Sequence, residues 1–361
     1  MKGPALSKRI CDVLRDEIEA GTYKIGGLLP DLEALMVRFG AGEYAVRRAV
    51  RQLRSEGLVT IRRHVGAIVN DKTQGAWKGC IAFIAVRMSG SFFAQILELE
   101  FSRRFSAAGY SLVPVFLDPD ANREVNIEAL KRPLANGLSF AICHCLEKQV
   151  TDLLDGAGVP YVVVNGFTKD FPHARAVIRD GFRRCYADLI KAMCEAGVRT
   201  VLEIDLERRV DRSFKIQLLN AGIATNRMMC GTLSGYQRIG DVKTLGHDTI
   251  ATFFADERHR AHPPDAILFD DDYLAFGGIV AILEAGLRIP KDIKVVSFAN
   301  RGNEPVLGVS LARIENDPAA YGDAVADYVL AVLAGRNPRP PRIEYHFVPG
   351  ESLGRGSRPS R

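Results

Sequence analysis

From Gly79 onward the chain alternates short apolar runs with segments of helical spacing, and this alternation restricts the fold more than any other feature. Residues 79–86 carry CIAFIAV, the run expected of a strand buried on both faces. In residues 92–108, Phe93, Ile96, Leu97, Phe101 and Phe105 recur at helical spacing. The pattern continues with a strand at 111–117, a helix at 126–135, a strand at 140–145, a helix at 147–157 and a strand at 160–164. It then starts again. Helices are predicted at 181–196, 212–221, 244–255, 273–285 and 318–334, with strands at 200–205, 266–269 and 293–298. Strands joined through helices must run parallel, because a parallel return needs a long crossover. Two such series predict an α/β protein with two parallel-sheet lobes. Ligands of such folds bind at the carboxyl ends of the strands, here between the lobes.

The stretch before Gly79 has another character. Val46, Ala49, Val50 and Leu53 form one apolar helix face, while Arg47, Arg51 and Arg54 lie on another with Arg48 beside them. Asp31 is placed to cap an earlier helix that buries Leu32, Leu35 and Met36. Phe39-Gly40-Ala41-Gly42 makes the turn between the two helices, and Gly57 ends the second. Residues 58–61 and 67–69 read as two strands around Arg62-Arg63-His64-Val65-Gly66. Helix, turn, helix and basic hairpin make a winged helix-turn-helix. An arginine stripe alone is commonly a solvated helix face. A second basic cluster where a wing tip belongs turns the reading toward duplex DNA. The amino-terminal residues of such a helix reach base edges in the major groove, which nominates Glu43, Tyr44, Arg47 and Arg48. Arg51 and Arg54 fall where phosphates lie, and Arg62, Arg63, His64 and Gly66 form the wing.

These residues resemble the GntR-type winged helix over about sixty positions. The resemblance rests on Gly21-Thr22-Tyr23-Lys24-Ile25-Gly26, Leu29-Pro30, Phe39-Gly40, Val46-Arg47, the run from Leu53 to Leu58, and Gly66. Two positions where the family commonly places DNA-contacting arginines hold acids here, Glu33 and Glu43. A carboxylate cannot bind phosphate but accepts a hydrogen bond from cytosine N4.

Charge follows the same division. Residues 1–78 hold 14 Lys+Arg against 9 Asp+Glu, whereas the remainder balances 34 against 34, so the net +5 belongs to the amino-terminal domain. Seven scattered cysteines without a Cys-x-x-Cys pair, most of them inside apolar runs, read as small core residues in a reducing compartment. The first helix carries acids, unlike a signal peptide, and no apolar run approaches the ~18 residues of a membrane helix. A cytoplasmic protein without membrane contact is expected. Residues 71–78 read as a linker, with Trp77 packing at the domain junction.

Residues 79–357 resemble the LacI-type effector domain, which is similar to periplasmic sugar-binding proteins. The signatures are Gly109-Tyr110, Pro160 to Val164, Asp180-Gly181, AILFDDDYLAFG from Ala266, EAGLRIPKDIKVVSF from Glu284, and Arg355-Gly356-Ser357. The resemblance implies a homodimer formed through the effector domain, with residues 94–108 a candidate contact helix. It also implies a small polar effector, with sugars and sugar derivatives as the candidates. Some of the family's gripping positions have changed: Val210 stands for an arginine, flanked by Arg209 and Arg212, and Ala299 stands for an aspartate. Candidates for the cleft lie just after strands: Ser91, Phe92, His144, Asn165, Asp205, Arg209, Arg212, Asp271 and Asn300. One of Asp270-Asp271-Asp272 is expected to cap the following helix rather than bind metal. Cys143-His144-Cys145 lacks the second pair that zinc requires, and His259 and His262 are placed in a loop. No nucleophile elbow, phosphate loop or zinc-protease signature occurs, so no catalytic residue, metal or cofactor is nominated.

The expected organisation is a winged helix at 1–70, a linker at 71–78, an effector and dimerisation domain at 79–357, and a tail at 358–361. Its lobes are expected at 79–178 with 316–338, and at 181–313 with 339–352. The expected function is ligand-responsive transcriptional regulation, most simply repression of a metabolic operon. The alternatives are a solute-binding protein without DNA function, or a regulator whose effector domain serves dimerisation alone.

Overall fold

The computed structural model describes residues 3–62, 65–70, 77–86, 91–117, 126–144, 148–164, 170–206, 212–230, 239–305 and 308–354. Among them no helix is long and apolar enough to cross a membrane.

The amino-terminal domain is a three-helix winged fold. Helix α1 (Gly3–Glu19) buries Ile10, Cys11, Leu14 and Ile18 along one stripe. Asp31 caps α2 (Leu32–Phe39), its carboxylate accepting from Ala34 N at 2.8 Å. Gly40 closes α2 in the left-handed conformation, φ 56°, where a side chain would be strained. Helix α3 (Glu43–Ser55) buries Ala45, Val46, Ala49 and Leu53 against α1 and α2. The wing is an antiparallel pair, β1 (Val59–Arg62) and β2 (Gly66–Val69), in register from Val59 opposite Val69 to Arg62 opposite Gly66. Leu28 bridges Ile68 beside it.

Two ion-pair clusters lock this small core from outside. Arg15 on α1 holds both oxygens of Glu56 at 2.8 Å, tying α1 to the end of α3. Arg38 on α2 pairs with Glu17, and Tyr23 donates to the same carboxylate at 3.0 Å. The partnered guanidiniums hold Glu56 and Glu17 below the usual carboxylate range.

The first parallel sheet takes β3 (Gly79–Val86), β4 (Tyr110–Leu117), β5 (Phe140–His144), β6 (Tyr161–Val164), β7 (Ala176–Gly181) and β13 (Arg342–Glu344), ordered β13-β7-β6-β5-β3-β4. Helices α4 (Phe92–Ala107), α5 (Glu128–Ala135) and α6 (Lys148–Gly156) connect its strands. Helix α12 (Pro318–Leu333) joins the same lobe: the Tyr321 ring meets Phe93, and Tyr328 Oη donates to Arg175 O at 3.2 Å.

The second sheet takes β8 (Thr200–Asp205), β9 (Ala224–Met229), β10 (Ala266–Phe269), β11 (Lys294–Asn300), β12 (Ala312–Asn316) and β14 (His346–Val348), ordered β14-β12-β11-β10-β8-β9. Its helices are α7 (Arg183–Glu195), α8 (Arg212–Asn220), α9 (Ile239–Ala255), α10 (Glu257–Ala261) and α11 (Asp272–Glu284). Helices α9 and α11 pack closely. Gly246 and Gly277 abut the backbone of the facing helix, and a Cβ at either would collide with it.

The chain crosses between sheets after Gly181, after Asn316 and near Tyr345. Strand β13 therefore sits with the first sheet, whereas the sequence reading put 339–344 with the second lobe. Strand β12 completes the second sheet through Asn316. Strands β7, β9, β12, β13 and β14 were not expected. Most are edge or rim strands without long apolar runs; β9 and β13, for example, bury no residue fully. Strand β14 runs antiparallel to β12, an exception to the expected parallel order. Helix α10 replaces the expected loop at His259, whose ring stacks on Phe253 with centroids 4.0 Å apart. Trp77 is not a buried junction residue: it is exposed, with Nε1 donating to Ser111 Oγ at 3.1 Å. Cys194 is exposed too, whereas Cys11, Cys143 and Cys185 are buried.

Candidate DNA interface and effector cleft

Helix α3 presents its cations because its apolar residues all fall on the opposite face. Arg47, Arg48, Arg51 and Arg54 are exposed, and Tyr44 is 69% exposed at the amino-terminal turn. Arg47 Nε donates to Glu43 Oε1 at 2.6 Å, one helical turn back. Arg51 Nε reaches the Arg47 carbonyl at 3.4 Å. None of the four is tied to the domain core by a described ion pair, in contrast to Arg15 and Arg38. Gly66 opens β2 at φ 120°, a backbone region that disfavours side chains. The Arg62 side chain, Arg63 and His64 lie outside the described residues.

In the second lobe the carboxyl ends of β8, β10 and β11 gather several carboxylates. Buried Asp205 ends β8 and forms an ion pair with Arg227 of β9. Asp270 accepts from Leu206 N at 3.2 Å, linking the ends of β10 and β8. Asp271 caps α11, with Oδ1 accepting from Tyr273 N at 2.8 Å and Leu274 N at 3.3 Å. Asp272, 2% exposed, accepts through Oδ2 from Asn300 N, Asn300 Nδ2 and Asn303 Nδ2, each at 3.1 Å. Burial pushes the Asp272 carboxyl up, and those donors oppose the shift. Asn316 Nδ2 completes the group by donating to Asn300 Oδ1 at 3.3 Å.

Facing groups come from the first lobe. Phe92 N donates to Tyr273 Oη at 2.8 Å, a hydrogen bond from one lobe to the other. Burial pushes the Tyr273 phenol up to about 12, so it stays protonated near neutrality. The Phe92 ring packs on the apolar core of the second lobe. His144 ends β5 with its ring 5.3 Å from that of Phe93. Ser91 Oγ accepts from Ala94 N at 3.4 Å, so it also caps α4.

The structure thus places Asp271 and Asn300 at the ends of neighbouring strands of the second lobe, with Asn300 bonded to Asp272, and Phe92 reaches the same lobe. Asp205 lies beside Arg227, a residue that sequence reasoning did not nominate. Asn165 and Arg209 lie outside the described residues, as does the Arg212 side chain at the start of α8. Asn303 and Tyr273 were also missed. Asn303 sits in a loop whose fold, not its composition, turns it onto Asp272. Tyr273 opens a predicted helix, and nothing in that local pattern marks its bond to Phe92.

Comparison with known proteins matches both regions. Residues 6–69 match the family described as bacterial regulatory proteins, gntR family, and residues 205–353 match the periplasmic binding protein-like domain. The chain is 23% identical over 280 residues to the HTH-type transcriptional repressor PurR of Klebsiella pneumoniae (strain 342), covering 74% of this chain and 76% of that one. A LacI family transcriptional regulator from Arthrobacter sp. FB24, solved in complex with lactose, superposes with TM-score 0.61 at 16% identity, over 76% of this chain and 99% of that one. The lac repressor dimer bound to operator and an anti-inducer superposes with TM-score 0.58 at 17% identity, over 76% and 94%. This chain therefore joins an amino-terminal region matching the bacterial gntR regulatory family to a periplasmic-binding-protein-like domain; its curated relatives include the repressor PurR, and LacI family regulators share the fold of the second region.

Proposed function

We propose that this protein is a ligand-responsive transcriptional repressor, working in the cytoplasm and not as an enzyme. It binds duplex operator DNA as a homodimer and takes a small polar effector between its two lobes. The observation that carries this reading is the union in one chain of a winged helix whose arginine row faces solvent with a two-lobed binding domain. Tyr44, Arg47 and Arg48 meet base edges, and Arg51 and Arg54 follow the phosphates with the wing. Two copies bind two half-sites, because one winged helix makes few contacts. Apolar residues left in solvent on the effector domain support a second copy: Leu99 on α4 at 61%, and Val280 and Leu283 on α11 at 47% and 52%.

The effector belongs to the sugars or sugar derivatives. The Arthrobacter regulator is solved with lactose, and donors and acceptors at Asp271, Asn300 and His144 suit hydroxyl groups. Arg209 or Arg212 is the proposed cationic partner of Asp271. A thermal-shift screen of sugars, sugar phosphates, amino sugars and nucleosides tests the cleft. A true effector at a hundred times its dissociation constant stabilises the protein by about 2.7 kcal/mol and changes operator affinity. If no compound does either, the second reading stands, in which the effector domain serves dimerisation alone. It is favoured by the internal partners that already occupy Asp205, Asp271 and Asp272.

A further inference from the structure

We propose that Glu43 is a positioning residue for operator recognition: it holds Arg47 so that the outer fork of the guanidinium grips a guanine, fixing one G·C pair in each half-site. The inference rests on the DNA-binding reading above and names the chemistry of its contact.

Glu43 is the first residue of α3, and Gly42 before it offers no side-chain cap. Arg47 stands one turn later, with Nε 2.6 Å from Glu43 Oε1. Glutamate four residues ahead of arginine is the favourable order on a helix. Both side chains are 57% exposed, so the pair adds little to stability. Its consequence is geometric. The arginine side chain has several free rotors, and the bond to Nε fixes the far end of it. Nη1 and Nη2 are left without a described partner. Those two donors match guanine O6 and N7 in the major groove.

The same carboxylate steers Arg47 away from the alternative. A negative charge beside the guanidinium disfavours docking on a phosphate, whereas Arg54 has no described carboxylate partner and is free to follow the backbone. The start of α3, through Arg47, is therefore the base-reading part, and the later turns carry the phosphate contacts. A role for Glu43 in helix stability alone, through the positive end of the helix, would leave sequence choice untouched.

The test is selection of duplexes from a randomised pool by the full-length protein and by Glu43→Ala, Glu43→Gln and Arg47→Ala. Anisotropy titrations then follow on the selected site and on versions with the selected guanine changed. The wild-type protein should select one guanine per half-site, and changing it should weaken binding about tenfold or more. Glu43→Ala and Arg47→Ala should lose that preference at the same position, while Glu43→Gln, which can still accept from Nε, should keep most of it. Unchanged helix content by circular dichroism excludes misfolding. A Glu43→Ala profile identical to wild type would overturn the inference while leaving DNA binding intact. Failure of the wild-type protein to select any duplex would instead overturn the DNA-binding reading, and this inference with it.

Discussion

On α3, Arg48 and Arg54 reach into solvent without a described partner, whereas every described carboxylate at the ends of β8 and β10, and at the start of α11, meets a donor of its own chain. The two regions handle charge in opposite ways. A surface that waits for phosphates can leave its cations hydrated, because water solvates them cheaply and DNA binding releases counterions. A cleft that excludes water cannot leave a carboxylate bare. On the function proposed above, the α3 face is thus open for DNA as it stands. A ligand at the proposed cleft would have to exchange internal hydrogen bonds for its own.

The sharpest way to break this contrast is to remove a partner on each side. Arg227→Ala leaves Asp205 buried without its cation and should cost about 3 kcal/mol, seen as a lower urea midpoint. A loss below about 0.5 kcal/mol, the usual range of surface changes, would show that the cleft carboxylates are as well hydrated as the surface arginines. Arg47→Ala should cost about 1–3 kcal/mol in operator binding with stability nearly unchanged. Arg54→Ala should weaken all sequences alike and reduce the slope of log affinity against log salt by about one. If either arginine change lowered the urea midpoint as Arg227→Ala does, the contrast would fail.

Asp271→Ala comes next in size. Loss of the cap on α11 should destabilise the second lobe by about 1 kcal/mol, and Asp271→Ser should restore most of it. If Asp271 also grips effector, the alanine variant loses the ligand response while operator affinity without ligand stays unchanged. A ligand response that survives would leave Asp271 as a cap and nothing more.

The smallest effect sharpens the amino-terminal half. Glu17 and Glu56 are depressed in the fold by Arg38 and Arg15. A depressed carboxyl stabilises the fold above its ordinary titration, about pH 4.3, and that stability is lost as pH falls through the lower folded value. Partial exposure limits each contribution to about 1 kcal/mol. Arg15→Ala should remove the share of Glu56, so the variant should show a flatter acid limb in stability against pH. An unchanged limb would show that the Arg15–Glu56 pair is energetically silent.

What the sequence shows and conceals follows the same physics. The helices of the winged fold and β3, β6 and β10 declare themselves, because burial writes an apolar period or run into the residues. Asp31 and Asp271 as caps are equally local and equally legible. Edge strands such as β9 and β13 are half-exposed and carry no such mark. The cleft partnerships are hidden for another reason. Arg227 meets Asp205 only because β8 and β9 pair in parallel, with Glu203 opposite Arg227, and no local spacing encodes that register. Asn303 reaches Asp272 across 31 residues.

On the proposed function, one chain reads DNA through α3 and reports a metabolite through its lobes. The most direct test is a genome-wide footprint of the protein in its own cells, taken in different carbon and nitrogen sources and repeated with Arg47→Ala. The expected result is a few discrete sites of two-fold symmetric sequence, lost in the variant, with occupancy that changes between growth conditions. Occupancy that is diffuse, or that survives Arg47→Ala, would contradict the assignment of α3 as the reading helix. Discrete sites with the same occupancy in every condition would contradict the ligand response.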